Sequence, residues 1–349
     1  MLGPQQENPH PKNVLFGHHV ASYAAHSLAV FQVIGIVIVD EVDALRAQIF
    51  DHAAVVLVEP FRPLAGIVTR DFSAVLGNLL TQAVLYVERY MPEMVLSENV
   101  AGIKDPKYGG IWEDFRKRLN DLGYVTGSKV VCTSKFGVPQ FRKRSILIAV
   151  RRELVREERF TDLLESELLV PESDPNAMLV TVSDAIGHMP AIEAGEAHSE
   201  IPNHRARTLS ELNLKRLSAA KPGQSNAYMA TTEFGDLSLD CHRKVNERLN
   251  DKCFTDVYTR MHPDRPSPTI TTKCHSISNG RFGHYDISQN RGVSLREAAI
   301  LQSFPEDYVF YPTDQIETVA RMIGNAVPPR LAMYFAGYLL NTLETPSRG

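Results

Sequence analysis

The sequence has few cysteines, no long apolar run and little excess charge. Four cysteines among 349 residues are too few for a disulfide framework, and none falls in a Cys-x-x-Cys pair, which excludes a metal knuckle on that spacing. This usage suits a reducing compartment. No apolar run reaches the ~20 residues of a membrane span. The longest, around Val30–Val39, stops at Asp40 and reads as a buried strand. The N-terminus has no basic stretch that would turn that run into a signal region. A net charge of −4 does not announce a polyanion binder. Hydrophobic residues at 44% and charged residues at 22% describe an ordinary globular chain. At roughly 150 residues per domain the length predicts about two domains, with a core that needs no staples. These absences exclude a disulfide mini-protein, a membrane protein and a disordered chain, and say nothing else about function.

What is present has the alternation of an α/β fold. Met1–Asn13 is a polar lead-in. Val33–Val39 (VIGIVIV) and Ala53–Val58 (AAVVLV) read as strands, with Asp43–Phe50 helical between them. Leu76–Tyr90 carries apolar residues at helical spacing, Met94–Leu96 is a short strand, and Ile111–Leu122 is a helix stopped by Gly123. Strands at Lys129–Cys132 and Ser145–Val150 complete a pattern that predicts a doubly wound, parallel α/β sheet with ligands at strand C-termini. The texture changes near Arg151. Residues 151–200 hold four Lys and Arg against twelve Asp and Glu, whereas 201–265 hold eleven against eight. Regularity returns at Ser294–Phe304, where Ser294 and Glu297 spell a capping box, and at a final helix, Arg330–Leu343.

Several short motifs can carry chemistry, and each also has an ordinary reading. Glu98 and Asn99 follow a buried strand: a polar loop, or a carboxylate at a sheet edge placed to hydrogen-bond a ring nitrogen. Gln140, Arg142 and Arg144 share one face at period two, and two converging guanidiniums need an anionic or strongly polar partner. Arg265–Thr272 is an extended Pro-rich segment with four hydroxyls: a linker, or a positioner of nucleic-acid backbone. Gly324–Pro329 is a helix-start turn, or a close backbone approach to a ligand. His204, Arg205, Arg207, Lys215, Arg216, Lys221, His242, Arg243 and Lys244 make a basic stretch: a solvated face, or a set of phosphate contacts.

In this order the motifs resemble the DNA cytosine-5 methyltransferase family. Glu98-Asn99-Val100, Gln140–Arg144 within GVPQFRKRSILIAV, Arg265–Thr271, Ser294–Pro305 and Gly324–Pro329 match five of its signatures. The resemblance implies a Rossmann-like S-adenosylmethionine-dependent methyltransferase fold interrupted by a smaller target-recognition domain. Residues 1–160 and 276–349 would form the methyltransferase part and 161–275 the DNA-binding insertion. It also implies a reaction: a cysteine adds to C6 of a cytosine flipped out of double-stranded DNA, C5 takes the methyl group of S-adenosylmethionine, and the C5 proton leaves. By the same resemblance Glu98 binds cytosine N3 and its amino group, Arg144 contacts O2, and Arg142 supports the loop beside the nucleophile. Asn325 and Val327 line the cofactor site, and Asp40 or Glu41 binds the ribose. In a bacterium the protein would be cytoplasmic and nucleoid-associated.

Two family features are missing. The glycine-rich turn that should receive S-adenosylmethionine reads Val14-Leu15-Phe16-Gly17-His18-His19. The Pro-Cys loop reads Glu59-Pro60-Phe61-Arg62-Pro63-Leu64, so Phe61 stands at the expected nucleophile position, and a phenyl ring forms no covalent adduct. Cys132, Cys241, Cys253 and Cys274 lie in other contexts, with Cys132 expected as a buried core thiol. Three origins fit: a degenerate homologue that binds DNA without methylating it, a second polypeptide that supplies the missing motifs, or an altered coding sequence over the first ~70 residues.

Overall fold

The computed structural model describes residues 35–39, 80, 83–108, 110–154, 170–242, 244 and 255–344. Its centre is a four-stranded sheet of β1 (Gly35–Val39), β2 (Met94–Val100), β3 (Tyr124–Cys132) and β4 (Lys143–Arg151), in the order β1-β2-β4-β3. Every pairing among the described strands is antiparallel, unlike the parallel pairs that the alternation predicts. The reason lies in where β4 goes. β2 and β3, joined through helix α1 (Ile111–Asp121), do run in the same direction, as a crossover unit should. β4 then returns from β3 and inserts between them, so the two same-direction strands never touch.

Both faces of the sheet are covered. On one face Met94, Leu96, Val131, Ile146, Ile148 and Val150 meet Leu331, Phe335 and Leu339 of the long C-terminal helix. On the other, Val95, Leu147 and Ala149 meet Leu80, Val84 and Val87 together with Trp112, Phe115 and Leu119 of α1. Double burial explains why the strands read as continuous apolar runs rather than alternating ones. Each large side chain so buried contributes about 1.5–3 kcal/mol. In α1 the buried Trp112, Phe115 and Leu119 recur at helical spacing, and the chain leaves through Gly123 at φ +91°.

Strand limits differ from the pattern-based reading where polar residues interrupt it. β2 runs through Glu98, Asn99 and Val100 instead of ending at Leu96, because Asn99 pairs with Ser145 and Val100 with Arg144. β3 starts at Tyr124, five residues before Lys129. Cys132 is half-buried, its Sγ 3.3 Å from Ser134 Oγ, rather than a core thiol. The segments read at Val14–His19, Asp43–Phe50 and Ala53–Val58 lie outside the described residues.

Beyond β4 the elements are short: α2 (Val182–Ile186) and α3 (Glu211–Ala219). Then come α4 (Leu295–Leu301), α5 (Ile316–Asn325) and α6 (Pro329–Glu344). The Ser294–Glu297 capping box is present as the sequence predicts. A second core joins Val182, Ile186 and Ile270 to α4 and α5. A small separate cluster gathers Leu209, Leu217, Tyr228 and Met229 around α3. No helix among the described residues is long and apolar enough to cross a membrane.

Candidate functional site

The site is assembled at the start of β4, where the Gln140–Arg144 segment crosses from loop to strand. Period-two spacing puts Gln140, Arg142 and Arg144 on the same side, and all three are buried. The segment is tied down by backbone: Thr133 N–H donates to Arg142 O at 2.9 Å, Phe141 N–H to Ser267 O at 2.8 Å, and Ser267 N–H to Pro139 O at 2.9 Å. Arg142 then reaches two carbonyls far away in sequence. Its Nη1 donates to Ile270 O at 2.8 Å and its Nη2 to Gly324 O at 3.0 Å, while its Nε is buried without a partner. The guanidinium therefore fastens the Arg265–Thr272 segment and the Gly324 turn to the head of β4.

Glu98 lies on the same sheet face one strand over. Its Oε1 is 2.6 Å from Arg144 Nε in an ion pair that lacks the alignment of a hydrogen bond. Burial pushes the Glu98 carboxyl above its ordinary range, and the attraction of Arg144 and then Arg142 only partly offsets that. Burial also lowers both guanidiniums, Arg142 to about 9 with help from the like charge of Arg144. The result is a carboxyl that holds a proton more readily than usual, beside two cations. Chemically, it can hydrogen-bond a ring nitrogen and lend it a proton, while a neighbouring guanidinium stabilises negative charge on an adjacent oxygen.

The remaining predicted residues fare unequally. Asn325 closes α5 directly after Gly324, and its Nδ2 is a buried donor with no partner. Val327 is partly buried against the α6 face of the sheet. Asp40, Glu41 and Phe61 lie outside the described residues. Two of the hydroxyls in Arg265–Thr272 serve the protein itself: Thr269 Oγ1 donates to Phe141 O at 3.0 Å, and Thr271 Oγ1 accepts from Lys273 N–H at 3.2 Å.

The basic stretch needs correction. His204 is buried between Ser294 Oγ and Pro190 O, and Arg216 is buried with its Nε on Leu237 O and its plane over the Tyr258 ring. Neither can face a phosphate. Arg207 and Lys221 remain exposed, and Lys215 is half-buried. A groove of about 770 Å³ opens between Met178, Leu179 and the start of α6, but Glu98, Arg142, Arg144 and Asn325 do not line it. No cluster of metal-ligating side chains occurs among the described residues.

Sequence reasoning missed one member of the site. Gln302, the C-cap of α4, is fully buried and touches both the Gln140 side chain and the turn at Gly324. The only signal was its place in the Leu-Gln-x-Phe-Pro string after the capping box.

Comparison with known proteins agrees with the motif order. The family described as C-5 cytosine-specific DNA methylase matches residues 65–341, beginning four residues past Phe61. The type II methylase M.HgiDII of Herpetosiphon aurantiacus is 33% identical over 269 residues, 76% of this chain and 70% of that protein. The type II methyltransferase M1.HphI of Haemophilus parahaemolyticus is 32% identical over 284 residues, covering 80% and 66%. The chain thus spans about two thirds of the length of these relatives. A crystal structure of an E. coli protein assigned as a prophage-encoded DNA modification methyltransferase superposes with a TM-score of 0.54 at 21% identity, over 76% of this chain and 74% of that one. At that identity the likeness speaks for the fold alone.

Proposed function

Because the chain belongs to the C-5 cytosine-specific DNA methylase family, we propose that it binds duplex DNA and receives an unstacked cytosine against Glu98 and Arg144, without transferring a methyl group on its own. The observation that carries this reading is the largely buried Glu98–Arg144 pair, a carboxyl that burial pushes above its ordinary range, 2.6 Å from a guanidinium. A proton shared from Glu98 to cytosine N3 makes C6 more electrophilic, and Arg144 stabilises charge that develops on O2. Arg142 positions this pair by its grip on Ile270 and Gly324. The cytosine must leave the duplex to reach side chains buried this deeply.

The family's methyl donor is S-adenosylmethionine, which supplies the methyl group when bound. The described part of the chain fits it on one side: the unpartnered Nδ2 of Asn325, beside a glycine turn that brings backbone close, is a donor awaiting an acceptor. Asn325 and Val327 are proposed to line that site, with Asp40 or Glu41 toward the ribose. Residues 161–275 are proposed as the DNA-recognition insertion, supported by the separate cluster around α3, with 1–160 and 276–349 as the methyltransferase part. In a bacterial cell this reading places the protein in the cytoplasm with the nucleoid.

The chemistry is withheld because Phe61 has no lone pair to add to C6. The test incubates the purified chain with labelled S-adenosylmethionine and cytosine-containing duplex. No incorporation is expected from the native chain, and Phe61→Cys is expected to form a covalent adduct with 5-fluorocytosine DNA. Turnover by the native chain would overturn the assignment of Phe61. A sequence with Phe61 at the nucleophile position that keeps the Gln140–Arg144 signature also favours a second reading: a DNA-binding or regulatory subunit of a methyltransferase or restriction-modification system, completed by another polypeptide. Salt-sensitive duplex binding by Phe61→Cys with no adduct would select it.

A further inference from the structure

We propose that Gln302 is a positioning residue that locks the target-base side of the site to the Gly324–Ala326 turn, so that neither half can shift alone. The inference rests on the function proposed above for what the two halves hold, but its geometry stands independently. Gln302 Nε2 faces two carbonyls, Ile323 O at 3.1 Å and Ala326 O at 2.7 Å, so that end of the amide must be the donor. Its Oε1 then faces Gln140 Nε2. The Gln140 amide is fixed in the same sense from its other end, since its Oε1 accepts from Ile270 N–H at 2.9 Å. The two amides therefore form one oriented chain of hydrogen bonds from Ile270 through Gln140 and Gln302 to the turn.

That chain runs beside a second one. Arg142 spans the same two segments through Ile270 O and Gly324 O. Directly beneath, Gly324 lies on the Thr271–Thr272 backbone so closely that a Cβ there would sit 2.2 Å from Thr271 C. Three contacts of different kinds thus bind the same pair of segments. The amide chain also holds the end of α4, where Gln302 is the C-cap and Gln140 Nε2 donates a second, longer bond to Leu301 O at 3.3 Å. Both glutamines are fully buried, so the amide chain is shielded from competing water.

The test replaces Gln302 by Glu and, separately, by Leu in the full chain. Gln302→Glu keeps an acceptor for Gln140 but sets an oxygen against Ile323 O and Ala326 O. Gln302→Leu removes both halves of the link. Backbone hydrogen exchange is read over 320–328 and 138–146, with a melting curve for each variant. We expect at least tenfold faster exchange at 320–328 in both variants. Over 138–146 we expect faster exchange in Gln302→Leu and little change in Gln302→Glu. A Gln140→Leu/Gln302→Leu double variant should be no worse than the worse single, as expected of two residues acting through one link. Unchanged exchange at 320–328, or additive losses in the double variant, overturns the proposal. Loss of a cooperative melt in every variant also overturns it, because Gln302 is then a structural residue. Binding of S-adenosylhomocysteine is measured alongside, with about a tenfold loss expected in Gln302→Glu. If the native chain binds none, the cofactor side of the proposed function fails, while the exchange result still decides the role of Gln302.

Discussion

Glu297 and Glu98 are carboxylates largely withdrawn from water beside arginine, and they are treated in opposite ways. Glu297 is fully enclosed. Arg291 grips it with both terminal nitrogens, at 2.8 and 2.7 Å, and Ser294 N–H adds a third donor at 2.7 Å. The rest of Arg291 is spent on Gln289 and Gly292 O. Burial works to raise the Glu297 carboxyl, but the Arg291 hydrogen bonds and charge outweigh it and hold the group ionised. Glu98 has one close but poorly aligned neighbour, the Nε of nearby Arg142 is idle, and burial wins. A saturated pair ties chain segments together and has nothing left to offer. An unsaturated one leaves a donor on Arg142 and an acceptor on Glu98 without partners.

The contrast can be broken most directly at Glu297. Glu297→Gln strands Arg291 in the interior, and a loss of about 3–5 kcal/mol in urea unfolding is expected. A loss under about 1 kcal/mol would mean that the pair is not the tie described.

The next effect in size is the response to acid. His284 lies 3.6 Å from Glu297 Oε1, and burial lowers its pKa from 6.5 to about 4, against the pull of Glu297. Between these values the unfolded chain binds a proton that the folded one refuses. Stability is therefore full above about pH 6.5 and falls as pH drops toward 4, by on the order of 3 kcal/mol from His284. His275, also lowered to about 4, adds in the same direction. Melting curves from pH 7 to 4 should show this fall, and His284→Gln should flatten part of it. An unchanged slope in that variant would remove His284 from the account.

The smallest expected change in stability is at Glu98. Glu98→Gln keeps an oxygen toward Arg144 and removes a carboxyl that burial already disfavours as an ion, so unfolding should move by less than about 1 kcal/mol. In a Phe61→Cys background the same substitution should abolish adduct formation with 5-fluorocytosine DNA. If Glu98→Gln unfolds the protein as Glu297→Gln does, the two carboxylates are alike and the distinction collapses.

What the sequence made legible is what local spacing determines. Ser294 and Glu297 meet across one helical turn, and Gln140, Arg142 and Arg144 share a face because a strand alternates. The same spacing could not show that Glu98 lies inside a strand, since that follows from pairing with β4 some 48 residues later. Nor could it show that β4 separates β2 from β3, which is a matter of topology. Gln302 stayed hidden for a similar reason: its partner Gln140 is 162 residues away. His204 and Arg216 read as part of a basic stretch because composition carries no direction, and only packing turned them inward.

The bare backbone contact at Gly324 has a mechanical consequence. Where two segments meet through side chains, rotamers act as springs and absorb small displacements. Here Thr271 and the turn touch with nothing rotatable between them. No rotamer change can relieve a displacement at that joint, so a shift of either segment has to be met by backbone movement in the other.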